Sequence, residues 1–279
     1  MKSPLSHLSL ADILARTIEL SWGAAAILKS YYRGSSENLE VRDKTEGPVT
    51  IADEAADRHL LAGLKAMCQD SCGYLTEETH QVGDLELPQD WVWIIDPLDG
   101  TRDFIDKTGE YAIHIALTYQ HHPVLAVVTL PESDRLYAAI TGGGTWQIAA
   151  DGIRVPVQLA RDKKLTELII VASRNHRGAE LVRLLARLPC QQQLQVGSIG
   201  CKIAAILEHR ADLYVSLSGK SAPKDWDLAA PELILTEAGG KFTHQDGSPL
   251  QYNHGDVNQW GCLIASSGEW HQQLLDACR

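Results

Sequence analysis

The sequence lacks any apolar run long enough to cross a membrane, and its first residues lack the pattern of a secretory leader. Residues 1–10 contain no basic segment followed by an apolar one. The most apolar stretch near the start, residues 22–28, is short and rich in alanine, whereas a membrane span needs roughly 18 to 20 apolar residues. These absences predict a cytoplasmic protein with no membrane partner.

The cysteines lack the spacings of a zinc site or a redox motif. No two of them form a Cys-x-x-Cys pair. In a chain of 279 residues without a leader, reduced thiols are expected. The six cysteines are Cys68, Cys72, Cys190, Cys201, Cys262 and Cys278.

Positive charge is in deficit. Lys and Arg number 25 against 36 Asp and Glu, a formal net charge of −11. Such a surface repels nucleic-acid phosphates, which argues against DNA or RNA as a partner. A small anionic substrate would also be repelled, unless divalent cations held by carboxylates reverse the local field.

The first half of the sequence predicts two helices and an antiparallel sheet. Apolar residues at helical spacing predict helices over residues 9–32 and 50–68, the first capped by Ser9 and Asp12. The polar residues 38–48 predict a loop. Short apolar runs predict strands at 74–76 and 91–95. Four further runs separated by turn residues, at 111–119, 124–130, 135–140 and 145–149, predict an antiparallel meander.

The second half alternates strands and helices, which is typical of an α/β layered unit. We expect strands at 168–172, 194–196 and 211–217 and helices at 176–188, 199–209, 227–238 and 269–278. The helix over 227–238 should end at Gly239-Gly240. The predicted domains are therefore residues 1–152, which are α+β, and residues 153–279, which are α/β.

The most informative segment runs from Trp93 to Thr101. A strand carries Asp96 and Asp99 into a tight turn. If a helix opens there, the amides of Gly100 and Thr101 can face an anion. Carboxylates beside an anion site require cations between them, and hard oxygen ligands suit Mg²⁺. The alternative is a strand end with a turn that binds nothing.

Further acidic residues favour the metal site over the plain turn, although each has an alternative role. Asp53 could complete a capping box with Thr50. Asp227, after Trp226, could serve only as a favourable charge at a helix start. Glu77-Glu78 follows a predicted strand, and Glu78 is interpreted as a solvated neighbour. His114, in an apolar strand, is interpreted as a core histidine whose nitrogens have partners.

Taken together, these segments resemble the inositol monophosphatase superfamily of Mg²⁺-dependent, lithium-sensitive phosphatases. The pieces occur in the family's order across most of the chain, as Asp53, Glu77-Glu78, residues 96–101, Trp226 to Ala230, and Glu237 to Gly240. The resemblance implies a mixed α/β (α+β) fold, a layered αβαβα sandwich of the sugar-phosphatase type.

The resemblance also implies roles for individual residues. Thr101, with Asp53 or Glu77, would orient an attacking water, and the amides of Gly100 and Thr101 would hold the phosphate. In-line attack by metal-activated water is expected, with no phosphoenzyme. Two or three Mg²⁺ ions would be held by Glu77, Asp96, the carbonyl of Leu98, Asp99, Asp227 and, through water, Asp53.

Three segments resemble the branch of this superfamily whose members hydrolyse 3′(2′),5′-bisphosphate nucleotides. They are residues 173–176 (Ser-Arg-Asn-His), 197–202 (Gly-Ser-Ile-Gly-Cys-Lys) and 101–105. This predicts hydrolysis of the 3′-phosphate of adenosine 3′,5′-bisphosphate, or of its 5′-phosphosulfate analogue, in sulfur metabolism. The donors expected for the second phosphate are Ser173, His176, Ser198, Lys202 and Lys224. The alternative for Lys202 is an exposed helix lysine.

Two other functions stay open. An inositol monophosphatase or a broad sugar-phosphate phosphatase would use the same carboxylates. A catalytically inactive relative would bind metal or a phosphorylated ligand without hydrolysing it. The expected assembly is a monomer or a homodimer.

Overall fold

The first helices begin at the predicted caps. The computed structural model describes residues 8–34, 41–44, 47–159, 163–174, 178–190 and 192–279. Helix α1 (Leu10–Tyr32) starts after Ser9, whose hydroxyl accepts from the Asp12 amide at 3.1 Å while the Asp12 carboxylate accepts from the Ser9 amide at 2.9 Å. These reciprocal bonds pair two amides that the helix leaves free.

The loop predicted over residues 38–48 is wrong where the structure describes it. Strands β1 (Arg42–Lys44) and β2 (Gly47–Val49) pair antiparallel and lead into helix α2 (Ile51–Cys68). This segment lacks the alternating apolar pattern from which strands are predicted, so the pairing could not be foreseen from the sequence.

The seven-stranded sheet confirms the predicted meander. It comprises β3 (Gly73–Thr76), β4 (Trp91–Asp99), β5 (Ala112–Tyr119), β6 (His122–Leu130), β7 (Arg135–Ile140), β8 (Thr145–Ala149) and β9 (Arg154–Val157), in that spatial order. Only β3 and β4 are parallel. β9 was not predicted, and it extends the sheet beyond residue 152. The division of the chain into two domains at residue 152 stays a prediction.

The five-stranded sheet is mixed, and it contains two strands that the sequence did not predict. The five strands are β10 (Ile169–Ser173), β11 (Gln192–Val196), β12 (Leu213–Leu217), β13 (Lys241–His244) and β14 (Cys262–Ser266). Their spatial order is β11-β10-β12-β14-β13, with β10 parallel to both neighbours and β14 antiparallel to both of its own. The unpredicted strands are β13 and β14.

The remaining helices after residue 178 occupy the predicted places with shifted ends, and the short helix that follows Gly100 was considered only as a condition of the anion site. They are α3 (Thr101–Ile105), α4 (Ala179–Leu185), α5 (Ile199–Leu207), α6 (Asp225–Glu237) and α7 (His271–Cys278). α6 ends as predicted before Gly239, which adopts a φ of 95° that favours glycine. Residues 175–177, where the fourth helix was expected to start, lie outside the described ranges.

The elements stack as the predicted αβαβα sandwich. α1 and α2 bury apolar residues against one face of the seven-stranded sheet. α5 and α6 fill the space between the two sheets, and α4 and α7 cover the outer face of the five-stranded sheet. Within the ranges that the structure describes, each helix is too short or too polar to span a bilayer.

Candidate active site

The predicted acidic turn is the end of β4 and the start of α3. Opposite β5, the strand register shifts between Asp96 and Asp99, so both carboxylates stand at the end of the strand. The Asp96 carboxylate accepts from the Leu98 amide at 2.9 Å, which is the turn-forming bond of the simpler interpretation. Gly100 then reverses the chain with a φ of 92°, a conformation that a Cβ atom would strain.

Three carboxylates from distant parts of the chain converge at this turn. Oxygen atoms of Asp96, Asp99 and Asp227 all lie within 4.8 Å of one another. Asp227 stands in the first turn of α6, where its Oδ2 atom accepts from the Lys224 amide at 2.6 Å. Glu77 follows β3, the parallel neighbour of β4, and its side chain is hydrogen bonded to Asp96. Glu77 and Asp227, which are 150 residues apart in the sequence, thus lie close enough for the charge of Asp227 to raise the pKa of Glu77.

The electrostatics of this cluster favour a bound cation. Burial, and then the charges of Asp227, Glu78 and Asp53, raise the pKa of Glu77 well above its usual range. Burial, followed by the charge of Glu77, does the same for the pKa of Asp96. Burial and Asp99 raise the pKa of Asp227 to about 7. Carboxylates this close cannot all ionise unless positive charge lies between them.

The chemistry of the donors fits Mg²⁺. Every candidate ligand is an oxygen, from carboxylates or from the Leu98 carbonyl, and hard divalent cations prefer such oxygens. Among the described residues, no other group of three or more acidic, histidine or cysteine side chains meets the geometry of a metal site.

Asp53 both caps a helix and contacts the predicted catalytic threonine. Its Oδ2 atom accepts from the amide and hydroxyl of Thr50, at 2.8 Å and 2.5 Å. Its Oδ1 atom lies 3.1 Å from the Thr101 hydroxyl, which also lies 3.1 Å from the Leu98 carbonyl oxygen. Burial raises the pKa of Asp53 to about 7 against the opposing bonds from Thr50.

Asp99 is held by the second half of the chain. Its Oδ2 atom accepts from the Ser198 hydroxyl at 2.5 Å and from the Gly200 amide at 2.9 Å. Ser198 precedes α5 and caps it by accepting from the Cys201 amide at 3.1 Å. The predicted substrate residue Ser198 therefore also fixes a metal-ligand candidate.

His114 is only partly the core histidine that was expected. Its Nδ1 atom lies 3.2 Å from the Trp226 carbonyl oxygen. Its Nε2 atom has no hydrogen bond to any described residue and lies 3.3 Å from Asp99 Oδ2. Burial lowers the pKa of His114, although the Asp99 charge opposes that shift.

Lys202 is buried, so the alternative of an exposed helix lysine is wrong. Its ammonium donates to the Ser198 carbonyl oxygen at 3.0 Å and lies 5.6 Å from the centre of the Tyr214 ring. Burial lowers its pKa, and the nearby charge of Asp99 opposes that effect. Lys202 thus places a cation behind the carboxylate cluster.

The other predicted substrate residues lie in different settings. Ser173 is half-buried at the end of β10, and Lys224 is half-buried just before α6. His176 lies outside the described residues.

An ion-pair network beside the site was not predicted. The Arg174 guanidinium bridges Asp103 at 2.5 Å and Glu110 at 2.7 Å. Glu110 also accepts from the Gly197 amide at 2.6 Å, so the network holds the chain just before Ser198. Arg174 and Asp103 belonged to segments identified in the sequence, but nothing in the sequence indicates that Glu110 joins them.

The layered fold and the oxygen-lined carboxylate cluster define a hydrolase of phosphate esters. The chain belongs to the inositol monophosphatase family, whose family model matches residues 9–279.

Curated relatives in this family are similar over most of their length. The 3′(2′),5′-bisphosphate nucleotidase CysQ of Salmonella typhimurium is 32% identical over 240 residues, which cover 86% of this chain and 94% of the relative. CysQ of Escherichia coli K12 is 32% identical over 242 residues, with the same two coverages.

Solved structures agree with the fold. CysQ of Bacteroides thetaiotaomicron superposes with a TM-score of 0.76 at 28% identity, covering 92% of this chain and 97% of that one. The extragenic suppressor protein SuhB of Bartonella henselae gives a TM-score of 0.79 at 23% identity, covering 96% of this chain and 98% of its own. The second likeness bears on the fold alone.

Proposed function

We propose that the protein is a Mg²⁺-dependent phosphatase that removes the 3′-phosphate from adenosine 3′,5′-bisphosphate, or from its 5′-phosphosulfate analogue. The products would be phosphate and the corresponding 5′-nucleotide. The observation that carries the phosphatase chemistry is the convergence of Asp96, Asp99 and Asp227 within 4.8 Å. Support for the substrate comes from relatives that are named bisphosphate nucleotidases.

The chain offers enough oxygen ligands for two or three Mg²⁺ ions. Mg²⁺ bound there would lower the pKa of nearby water and neutralise charge that develops on the phosphate oxygens. The residues proposed to hold the ions are Glu77, Asp96, Leu98 through its carbonyl, Asp99, Asp227 and, through water, Asp53.

Thr101 and Asp53 would orient the attacking water. When the Thr101 hydroxyl donates to Asp53 at 3.1 Å, its lone pairs remain to accept a hydrogen bond from water. Asp53, whose Oδ1 atom lies 3.1 Å from the Thr101 hydroxyl, or Glu77 would then receive the proton. The amides of Gly100 and Thr101 would donate to the phosphate oxygens.

The second phosphate of the substrate would be held by residues from the second half of the chain. Ser198 and Lys202 lie beside Asp99, and the buried Lys202 adds positive potential without reaching the surface. Ser173 and Lys224 would supply further donors, together with His176. A nucleotide that lacks this phosphate would lose those contacts and bind less well.

A kinetic comparison of three substrates in Mg²⁺ tests this function. We expect kcat/KM for adenosine 3′,5′-bisphosphate to exceed that for inositol 1-phosphate and fructose 1,6-bisphosphate by at least about tenfold, equivalent to about 1.4 kcal/mol. A preference for either of the other substrates would support the inositol-phosphate or sugar-phosphate alternative. No phosphate release from any of the three would support a binding protein without catalysis.

A further inference from the structure

A second pocket lies on the outer face of the five-stranded sheet. Its volume is about 490 Å³, and α4, β14 and α7 contribute to its walls. None of its lining residues belongs to the candidate active site. The lining includes Arg183, Arg187, Gln245, Cys262 and Cys278.

The two cysteines of this pocket are in contact. Cys262 begins β14 and Cys278 ends α7, and their thiols are hydrogen bonded to each other. Gln245 links the same two residues through the backbone, because its amide donates to the Cys262 carbonyl at 2.9 Å and its side chain donates to the Cys278 carbonyl. Their exposed fractions are 6% and 4%.

We propose that Cys262 and Cys278 form a redox-reactive dithiol that is oxidised by a small anionic disulfide, of which oxidised glutathione is the test case. Arg183 lies in α4 and Arg187 in the turn that follows it, and both line the same pocket, as does the acidic Glu180. Their guanidinium groups would receive the carboxylates of the disulfide.

The exchange proceeds in two balanced steps. The Cys278 thiolate attacks one sulfur of the disulfide, so a mixed disulfide forms and one small thiolate leaves. The Cys262 thiol then loses its proton and attacks the Cys278 sulfur, which releases the second small thiol. The two cysteines are oxidised to one disulfide, and the small disulfide is reduced to two thiols.

The local charges match these roles. The hydrogen bond from Cys262 lowers the pKa of Cys278; burial opposes that shift, and Arg187 adds to it. The same hydrogen bond, together with burial, raises the pKa of Cys262. Cys278, whose pKa the hydrogen bond and Arg187 both lower, is accordingly assigned as the attacking thiol, and Cys262 as the resolving thiol.

A second pair of touching thiols provides an internal comparison. Cys68 and Cys72 are also hydrogen bonded to each other, but they are 1% and 2% exposed and lie against Trp93, whose Nε1 atom is 3.4 Å from the Cys68 sulfur. Because that pair is enclosed by the core, we expect it to react more slowly than the pocket pair.

Peptide mapping of the folded chain after exposure to oxidised glutathione tests the proposal. We expect a Cys262–Cys278 cross-link that a dithiol reductant removes, and the Cys262→Ser variant should accumulate a glutathione adduct on Cys278. A Cys68→Ser/Cys72→Ser variant should form the pocket cross-link at the wild-type rate. Circular dichroism and phosphate release identify variants that fail to fold.

Arg187→Gln tests the anionic nature of the reagent. It should slow the reaction with oxidised glutathione by about two- to fivefold, the size of one surface ion pair, and slow the reaction with neutral hydroxyethyl disulfide much less. Equal slowing with both reagents would overturn the role of the arginine. Failure of folded wild-type protein to form the cross-link, or adducts without a cross-link, would overturn the dithiol.

Discussion

The Ser198 hydroxyl donates to the Oδ2 atom of Asp99 at 2.5 Å, and this bond joins the start of α5 to the end of β4. The Gly200 amide donates to the same oxygen at 2.9 Å. The Oδ2 atom of Asp99, a candidate metal ligand, is thus held by a segment that lies 99 residues away in the chain.

Ser198→Ala should lower kcat and raise the Mg²⁺ concentration needed for half-maximal activity. The variant loses a hydrogen bond to a charged group, for which about 1.5–3 kcal/mol is typical, so activity should fall roughly 10- to 100-fold. It also loses the cap of α5, so we expect about 1 kcal/mol less stability. Steady-state kinetics across a Mg²⁺ titration and urea unfolding measure the two effects.

Ser133→Ala is the matched control for that substitution. Ser133 is exposed and its hydroxyl donates only locally, to the Leu130 carbonyl at 3.2 Å. The Ser133→Ala variant should have the same phosphatase activity and Mg²⁺ requirement as the wild type. An unchanged Mg²⁺ requirement in Ser198→Ala would contradict the role assigned to the bond.

Arg174→Gln should act on the site through Ser198. The guanidinium bridges Asp103 and Glu110, and Glu110 holds the Gly197 amide. Without the bridge, the turn before α5 loses its anchor and Ser198 shifts relative to Asp99. A double-mutant cycle with Ser198→Ala should therefore show a coupling of about 0.5–3 kcal/mol in kcat/KM. Strictly additive losses would mean that Arg174 acts independently, for example on the substrate.

Asp96→Asn should remove nearly all phosphatase activity while the fold survives. Asp96 is 1% exposed and its neighbours are acidic, so the neutral amide relieves repulsion but removes a ligand charge. Asp90→Asn, at an exposed position, is the control and should leave kcat unchanged. Activity of Asp96→Asn within about tenfold of wild type, less than 1.4 kcal/mol, would exclude Asp96 as a metal ligand.

His271 should make the fold less stable in mild acid. Its ring contacts the hydroxyls of Ser266 at 2.8 Å and Thr243 at 2.9 Å, and burial lowers its pKa from 6.5 to about 4. As pH falls, His271 is therefore protonated in the unfolded chain before it is protonated in the folded chain. The stability that the neutral ring provides is fully present above pH 6.5 and is lost as pH falls toward 4.

Urea unfolding of wild type and His271→Gln measures this effect. From pH 7 to pH 5 the wild type should lose about 2 kcal/mol more stability than the variant. Parallel pH profiles of the two proteins would show that His271 does not carry the acid sensitivity.

Regular amphipathic elements could be predicted from the sequence, and elements defined by their partners could not. The meander from β5 to β8 alternates with clear turn residues, and its strands were found within a few positions. β13 has a single apolar residue among four, so no local pattern separates it from the surrounding turns. The apolar run 262–265 of β14 did carry a strand signal, but it was not recognised as a strand. β4 was expected to stop at residue 95, because Pro97 interrupts the pattern, whereas its pairing with β5 carries the strand to Asp99.

The acidic members of the site could be found from their motifs, but their supports could not. Asp96 and Asp99 stand in one short turn, so their proximity follows from local geometry. The contact of Ser198 with Asp99 and the place of Glu110 between Arg174 and Gly197 depend on how the two sheets meet. Burial of Lys202 likewise follows from α5 lying between the sheets, which its composition alone does not reveal.

Calorimetric titration with Mg²⁺ tests most directly whether the converging carboxylates hold a cation. We expect saturable binding of at least one ion to the wild type, with release of protons because carboxyls of raised pKa must ionise. Binding should be weakened or lost in Asp96→Asn and unchanged in Asp90→Asn. Equal Mg²⁺ binding by all three proteins, or none by the wild type, would contradict this role for the carboxylates.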